Sequence, residues 1–337
     1  MTAAIRKSPA APGRIVRTLL LAVSLVAVLT LVAGFFGEIV PFFDSLAHFR
    51  AHLAVLLIAA GMVLMTTGAA GTGLAAGIVG GLGLVSVATT IFPSPAPPEV
   101  QPTTAQYTLL QMNLRWNAED REGALRLVGR LQPDVIALEE AGEDWRPLLD
   151  SLAERYPHRF DCGEPTSFGQ LALLSRRNFV PGDPGTCNAY DGFLSRTVHF
   201  NGSPVTLAIQ HLRWPWPGRQ RQQIERLGST LQALPAPVLI AGDFNATPWS
   251  AALARYAALS GTRIVLHVGP TWLPRPLTPW LAPYAGLPID NFLASEAIEI
   301  VGVERQDATG SDHLPVLLTF AVPPAVTVEP AVETAAR

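Results

Sequence analysis

Gly310-Ser311-Asp312-His313-Leu314-Pro315 and, earlier, Ala241-Gly242-Asp243-Phe244-Asn245-Ala246-Thr247-Pro248 are the stretches that decide the reading of this chain. Each sets a carboxylate and a second polar side chain at the edge of an apolar run. Asn113 after Tyr107-Thr-Leu-Leu-Gln-Met, Glu140 closing Asp134-Val-Ile-Ala-Leu-Glu-Glu, and His211 closing Val205-Thr-Leu-Ala-Ile-Gln are placed the same way. A short apolar run bounded by polar or glycine residues reads as a buried strand, and side chains at strand ends can converge on one rim of a sheet. The expected site is therefore assembled from residues far apart in sequence.

The first third of the chain has a different character. Residues 15–36 are almost wholly apolar and uncharged, as are 53–67, and 69–92 carry no charge. With its flanks each approaches the roughly 20 residues needed to cross a bilayer, so three spans are expected. The middle stretch is short; His48, Arg50 and His52 at its edge are expected to extend its reach by snorkelling. Gly71, Gly73, Gly77, Gly80, Gly81 and Gly83 suit close helix packing in lipid. Arg6, Lys7, Arg14 and Arg17 precede the first span and place that end in the cytoplasm. Three crossings then put everything after Phe92 on the extracytoplasmic side. A cleaved signal peptide would remove the first span and leave two, so the number of spans sets the side.

The expected organisation is a membrane anchor over residues 1–92, a proline-rich linker over 93–104, a catalytic domain over 105–322 and a disordered tail over 323–337. About 220 residues are ample for one domain with a sizeable core. Lys7 is the only lysine, and residues 105–322 hold 18 Arg against 22 Asp and Glu. That balance disfavours a non-specific nucleic-acid binder. Cys162 and Cys187 can pair if the domain is exported, or remain buried thiols.

Within the domain, residues 107–112, 135–138, 171–174, 195–200, 205–212, 238–241, 289–294, 300–305 and 314–321 read as strands, and 119–131, 144–156, 218–234 and 249–259 as helices. Several strands follow one another with no helix between, which points to antiparallel pairing and to two stacked sheets with helices outside.

The ordered set Asn113, Glu140, His211, Asp243-Phe-Asn245, Asp290 and Ser311-Asp312-His313 resembles the endonuclease/exonuclease/phosphatase superfamily, the deoxyribonuclease-I-like fold, over nearly the whole domain. The resemblance implies an α/β (α+β) four-layer sandwich of two packed mixed β-sheets flanked by helices, here preceded by three transmembrane helices. It also implies divalent-metal-dependent cleavage of phosphoester bonds, with Mg²⁺ or Mn²⁺ as cofactor and Glu140 as the principal metal ligand. Glu140 and Asp312 are hard oxygen donors of the kind Mg²⁺ prefers, and Asn113 would complete or orient that site. His313 with Asp290 would form an imidazole fixed by a carboxylate. Either His313 or Asp243 would act as base, with Asn245 donating to a phosphate oxygen and, by resemblance, His211 on the leaving-group side. Glu139 alternates to the other face of its strand and is expected to be a solvated or paired surface charge. Many relatives carry His or Tyr after the equivalent of Asp290; here Asn291 follows and should point away.

Beside the expected site lie Arg213, Trp214, Trp216, Arg219 and Arg221. Arg213 and Trp214 are expected to contact substrate, and Thr271-Trp272 resembles a substrate-side element of related sequences. Tryptophan favours membrane interfaces and arginine binds phosphate bidentately, which suits a lipid phosphate; the same residues would serve a nuclease by stacking on bases. The whole arrangement is similar to the membrane phosphatases associated with teicoplanin resistance, which implies a bacterial cytoplasmic membrane, the lipid bilayer as partner and a lipid-linked phosphorylated substrate, with nucleic acid second.

Overall fold

The computed structural model describes residues 12–92, 105–162 and 170–322. The expected linker and tail lie outside the described residues. Four helices come first: α1 (Pro12–Ala33), α2 (Pro41–Ala47), α3 (Arg50–Thr66) and α4 (Ala70–Ile91). Two segments are long and apolar enough to cross a membrane, Gly13–Phe36 with mean hydropathy 2.7 and Ala70–Ile91 with 1.9. The expected middle span is instead a pair, α2 and α3, bent by 59°. α3 packs on α4 through glycines: a Cβ on Gly80 would lie 2.6 Å from the Ala54 carbonyl oxygen, so only a bare backbone permits this approach.

The remaining elements, in chain order, are β1 (Gln106–Asn113), α5 (Glu122–Leu131), β2 (Val135–Glu139), α6 (Arg146–Asp150), β3 (His158–Cys162), β4 (Leu171–Ser175), β5 (Thr186–Asn188), β6 (Phe193–Phe200), β7 (Ser203–Gln210), α7 (Gln220–Gln232), β8 (Val238–Asp243), α8 (Ala251–Ser260), β9 (Arg263–Ile264), α9 (Thr278–Ala285), β10 (Asp290–Ala294), β11 (Glu299–Arg305) and β12 (Val316–Ala321). They form two six-stranded sheets, ordered β11-β12-β1-β2-β4-β3 and β5-β6-β7-β8-β10-β9. Each sheet has one parallel pair, β1 with β2 and β7 with β8, and is otherwise antiparallel. The parallel pairs are joined through α5 and α7, since a parallel connection needs a crossover.

Strand alternation sorts the side chains into layers. Leu109, Val135 and Ala137 of the first sheet meet Leu207, Leu239 and Ala241 of the second between the sheets. Leu110, Ile136 and Leu138 face the helix α5 side with Leu127 and Val128. Val238 and Ile240 face Ile224, Leu227 and Leu253 of α7 and α8. The result is the expected helix-sheet-sheet-helix stack.

Two features tie parts together. Cys162 on edge strand β3 forms a disulfide with Cys187 on edge strand β5, Cα atoms 5.3 Å apart, stapling one sheet to the other. The second is the seat of the two-sheet domain on the apolar helices. Asp44 of α2 accepts from the backbone N–H groups of Ala251 (2.8 Å) and Ala252 (2.9 Å), capping α8. Trp249 donates to the Ala47 carbonyl (2.7 Å), and Arg255 pairs with Glu38.

Replacing Cys187→Ser, or adding reductant to the unaltered protein, is expected to cost about 3 kcal/mol and to lower the thermal unfolding midpoint of the full chain by the same amount in both cases. A midpoint insensitive to either would contradict the staple.

Candidate active site

The parallel pairs position the site. Asn113 ends β1, Glu140 follows β2, His211 follows β7 and Asp243 ends β8, so four polar residues emerge from the carboxyl ends of two βαβ units. Asp290 opens β10 directly opposite Asp243 in register. The loop before β12 brings in Asp312 and His313, held by an isolated bridge between His313 and Trp272. Gly242, with φ 152°, is required here because a Cβ would lie 2.0 Å from the Gln210 carbonyl oxygen on β7. Glu140 and Asn245 adopt left-handed backbone, φ 56° and 44°, a conformation costing roughly 1–3 kcal/mol that concentrates at functional sites.

Asp243 is the hub. Its carboxylate accepts from the Asn113 amide (3.1 Å), the Asn245 side-chain amide (3.3 Å) and the Asn245 backbone N–H (2.9 Å). His211 Nε2 lies 3.5 Å and His313 Nε2 3.6 Å from Asp243 Oδ2. On its far side, His313 Nδ1 is 2.9 Å from Asp290 Oδ2. Both aspartates are buried. Burial pushes Asp243 up to about 6, against the pull of His313. Burial also disfavours the charged imidazole of His313, but Asp290 and then Asp243 outweigh it and raise the ring to about 10. His313 thus stands between two carboxylates that favour its protonated form.

Behind Asp290 stands a buried support. Gln111 Nε2 donates to both Asp290 Oδ1 and Glu139 Oε2, each at 2.9 Å. The Thr271 hydroxyl donates to Asp290 Oδ2. Two expectations change. Glu139 is not a surface charge: alternation does turn it away from Glu140, but that face is the closed space between the sheets, where burial, followed by Asp290, raises its pKa well above the carboxylate range. Thr271 is not on the substrate side: it is buried and positions Asp290, while its neighbour Trp272 reaches the cavity.

In front of His313 opens a cavity of about 660 Å³. Glu140, Asp312, Arg213, Trp214 and Trp272 line it, together with His211, Asp243, Asn245 and His313. Arg213 donates to the Tyr190 carbonyl at 3.3 Å, and Trp214 stands edge-on to Trp272 with ring centroids 5.6 Å apart. Trp116 and Arg115, also in the lining, were not singled out by the sequence, and no motif marks them.

A hydrated divalent cation fits at Glu140 and Asp312. Both are half-buried carboxylates on the open cavity, and among the described residues the Asp312 carboxylate accepts a long contact, 3.4 Å from Trp272 Nε1. Asn113 orients Glu140: its side-chain oxygen accepts from the Arg115 backbone N–H (3.0 Å), and its amide donates to Glu140 (3.2 Å) as well as to Asp243. Asp243, Asp290 and His313 also bring ligand atoms within 4.8 Å of one another. In that group Asp290 is already engaged by Gln111, Thr271 and His313.

The Endonuclease/Exonuclease/phosphatase family pattern matches residues 110–313, from within β1 to His313. The chain belongs to that family. Solved endonuclease/exonuclease/phosphatase structures share the fold. The protein from Bacteroides vulgatus is 14% identical, with 65% of this chain and 100% of that chain covered and a TM-score of 0.53. D. rerio TDP2 complexed with single strand DNA product is 21% identical, covering 65% and 100%, with a TM-score of 0.51. The protein from Beutenbergia cavernae DSM 12333 is 20% identical, covering 64% and 72%, with a TM-score of 0.50. No curated protein matches the chain. Endonuclease/exonuclease/phosphatase enzymes are divalent-metal-dependent phosphoester hydrolases, and the cavity described above has the donor set for that chemistry.

Thr271→Val keeps the side-chain shape but removes the hydroxyl that holds Asp290. It is expected to lower kcat for bis(p-nitrophenyl) phosphate with Mg²⁺ about tenfold at unchanged KM, with Thr271→Ser restoring most of it. His313→Ala is expected to cost about 10²–10⁴. Equal rates for the Val and Ser variants would remove Thr271 from the positioning of the dyad.

Proposed function

We propose that this protein is a membrane-anchored, divalent-metal-dependent phosphohydrolase that cleaves a phosphoester or pyrophosphate bond of a lipid phosphate at the extracytoplasmic face of a bacterial cytoplasmic membrane. One observation carries the lipid reading: the site is built against the segment that joins two apolar helices. His48, between α2 and α3, lies 3.0 Å through Nε2 from the Asn245 carbonyl, and its ring packs 5.9 Å from Trp214 of the cavity wall. Phe42 of α2 packs edge-on against Trp216 at 5.3 Å. A site joined to its anchor by buried contacts meets lipid head groups at every encounter. Exposed Trp280 and Tyr284 on α9 add side chains that favour the headgroup level.

Sidedness has two supports. Arg14 and Arg17 begin α1, at the end of the bundle opposite the loop that seats the catalytic domain; basic residues favour the cytoplasm. The disulfide suits an oxidising compartment.

In this reading Glu140 and Asp312 would hold Mg²⁺ or Mn²⁺, which would offset charge on the phosphate. Asp243, which lines the cavity and which burial raises to about 6, takes a proton from the attacking water. The His313 imidazolium, held by Asp290, presents positive charge to the phosphoryl group. Asn245 donates to a phosphate oxygen, and His211 stands on the leaving-group side. Arg213 and Trp214 border the cavity where the substrate enters. The second reading, an extracytoplasmic nuclease, draws on the likeness to TDP2 with its single strand DNA product; the excess of acidic over basic residues in the domain speaks against it.

Full-length protein in vesicles is expected to release phosphate from prenyl pyrophosphate with Mg²⁺, to lose this activity with EDTA and regain it with Mg²⁺ or Mn²⁺, and to leave plasmid DNA intact. Glu140→Gln is expected to raise the Mg²⁺ concentration for half-maximal rate at least tenfold. Cleavage of plasmid DNA with no turnover of the prenyl substrate would favour the nuclease.

A further inference from the structure

A second cavity, of about 580 Å³, lies between the apolar helices and the catalytic domain. One wall is Val55 and Ala59 of α3 with Leu84 of α4; the other is Trp249, Pro288 and Tyr284. Among the described residues no Asp, Glu, Lys or Arg lines it. Its two histidines are engaged with backbone carbonyls, His48 with Asp44 and Asn245 and His52 with Ala285 (2.8 Å), and the Trp249 indole N–H is spent on Ala47. The lining thus offers an incoming molecule apolar surface and few open hydrogen-bonding groups. An extended peptide would leave its amides unpaired there, whereas a hydrocarbon chain would not. The volume lies within the range of ligand sites.

This groove abuts the catalytic cavity. His48 lines the groove and packs on Trp214, which lines the cavity. Gly286 and Pro288 line the groove, and Leu287 between them pairs with Trp272, which also lines the cavity. Along this line His48 and Trp214 stand between the two cavities. At its other limit the groove is walled by helices whose outer surfaces are exposed and apolar, Leu56 and Leu82 among them.

We propose that the groove binds the hydrocarbon chain of the substrate, a phosphate or pyrophosphate ester of a long-chain alcohol, and that the head group passes over His48 and Trp214 to the Asp243 centre. This rests on the lipid-phosphate reading above and adds to it the class of lipid: one groove receives one chain. The apolar helices then form part of the substrate site besides holding the enzyme at the membrane. Specificity is set by chain length, because each methylene withdrawn from water favours binding.

The test uses full-length protein in detergent micelles, with geranylgeranyl pyrophosphate and dimethylallyl pyrophosphate as long and short substrates. The expected kcat/KM is higher for the long one, and Ala59→Trp, which fills the groove, lowers the long-to-short ratio about tenfold. A geranylgeranyl phosphate bearing a terminal diazirine is expected to label residues 48–59 or 284–288 of the unaltered protein, a readout that needs neither turnover nor a variant. Labelling elsewhere, or a ratio indifferent to Ala59→Trp while both pyrophosphates are hydrolysed, would overturn the groove and leave the lipid-phosphatase reading standing. Hydrolysis of bis(p-nitrophenyl) phosphate with neither pyrophosphate turned over would remove that reading, and the groove proposal with it.

Discussion

Two buried carboxylates share one imidazole, and most of the architecture around the rim exists to make that arrangement tolerable. Asp243 and Asp290 sit opposite each other on paired strands, and His313 lies between them. Taking one partner away would leave a buried charge uncompensated, a loss of about 3–5 kcal/mol. The constraint reaches far along the chain. It fixes the register of β10 on β8, draws the loop before β12 over the end of the second sheet, and recruits Gln111 from the first. Because Gln111 and Asp290 belong to different sheets, the same hydrogen bonds that orient the dyad also hold the sandwich closed at this rim.

The second organising fact is the seat of the domain on its helices. Docking surfaces of modular anchors tend to be polar and separable; here Asp44 completes the first turn of α8, and His48 reaches the backbone of Asn245. α8 is served twice, since Ser250 also accepts from Leu253 at its start. The site thus has one wall made by the two-sheet domain and another supported from the apolar helices.

Much of this was legible in the sequence, and the failures share a cause. Apolar runs such as 107–112 and 238–241 marked the central strands because both their faces are covered. The rim residues were legible because Asp243, Asn245, Asp312 and His313 fall in compact motifs at strand ends. The edge strand β3 was missed: His158-Arg-Phe-Asp-Cys162 is only partly buried and carries no alternation. α9 was missed because Pro283 interrupts it and its aromatic side chains face outward. Glu139 and Thr271 were misplaced for a subtler reason. Their orientation along the strand or loop followed from local rules, but what covers them depends on how the two sheets stack. His48 and Arg50 were read as snorkelling side chains, whereas both are buried, Arg50 over the Phe35 ring. Nothing local to residues 44–52 announces that a helix 200 residues later will need them.

That dependence changes what counts as the enzyme. A fragment beginning after Phe92 would retain every motif by which its family is known, yet it would lack the Asp44 carboxylate at the start of α8, the ring beside Trp214, and the cover over Trp249 and Phe42's partner Trp216. Such a truncation would be soluble in principle and incomplete in practice, with sticky aromatic surface where its missing half belongs.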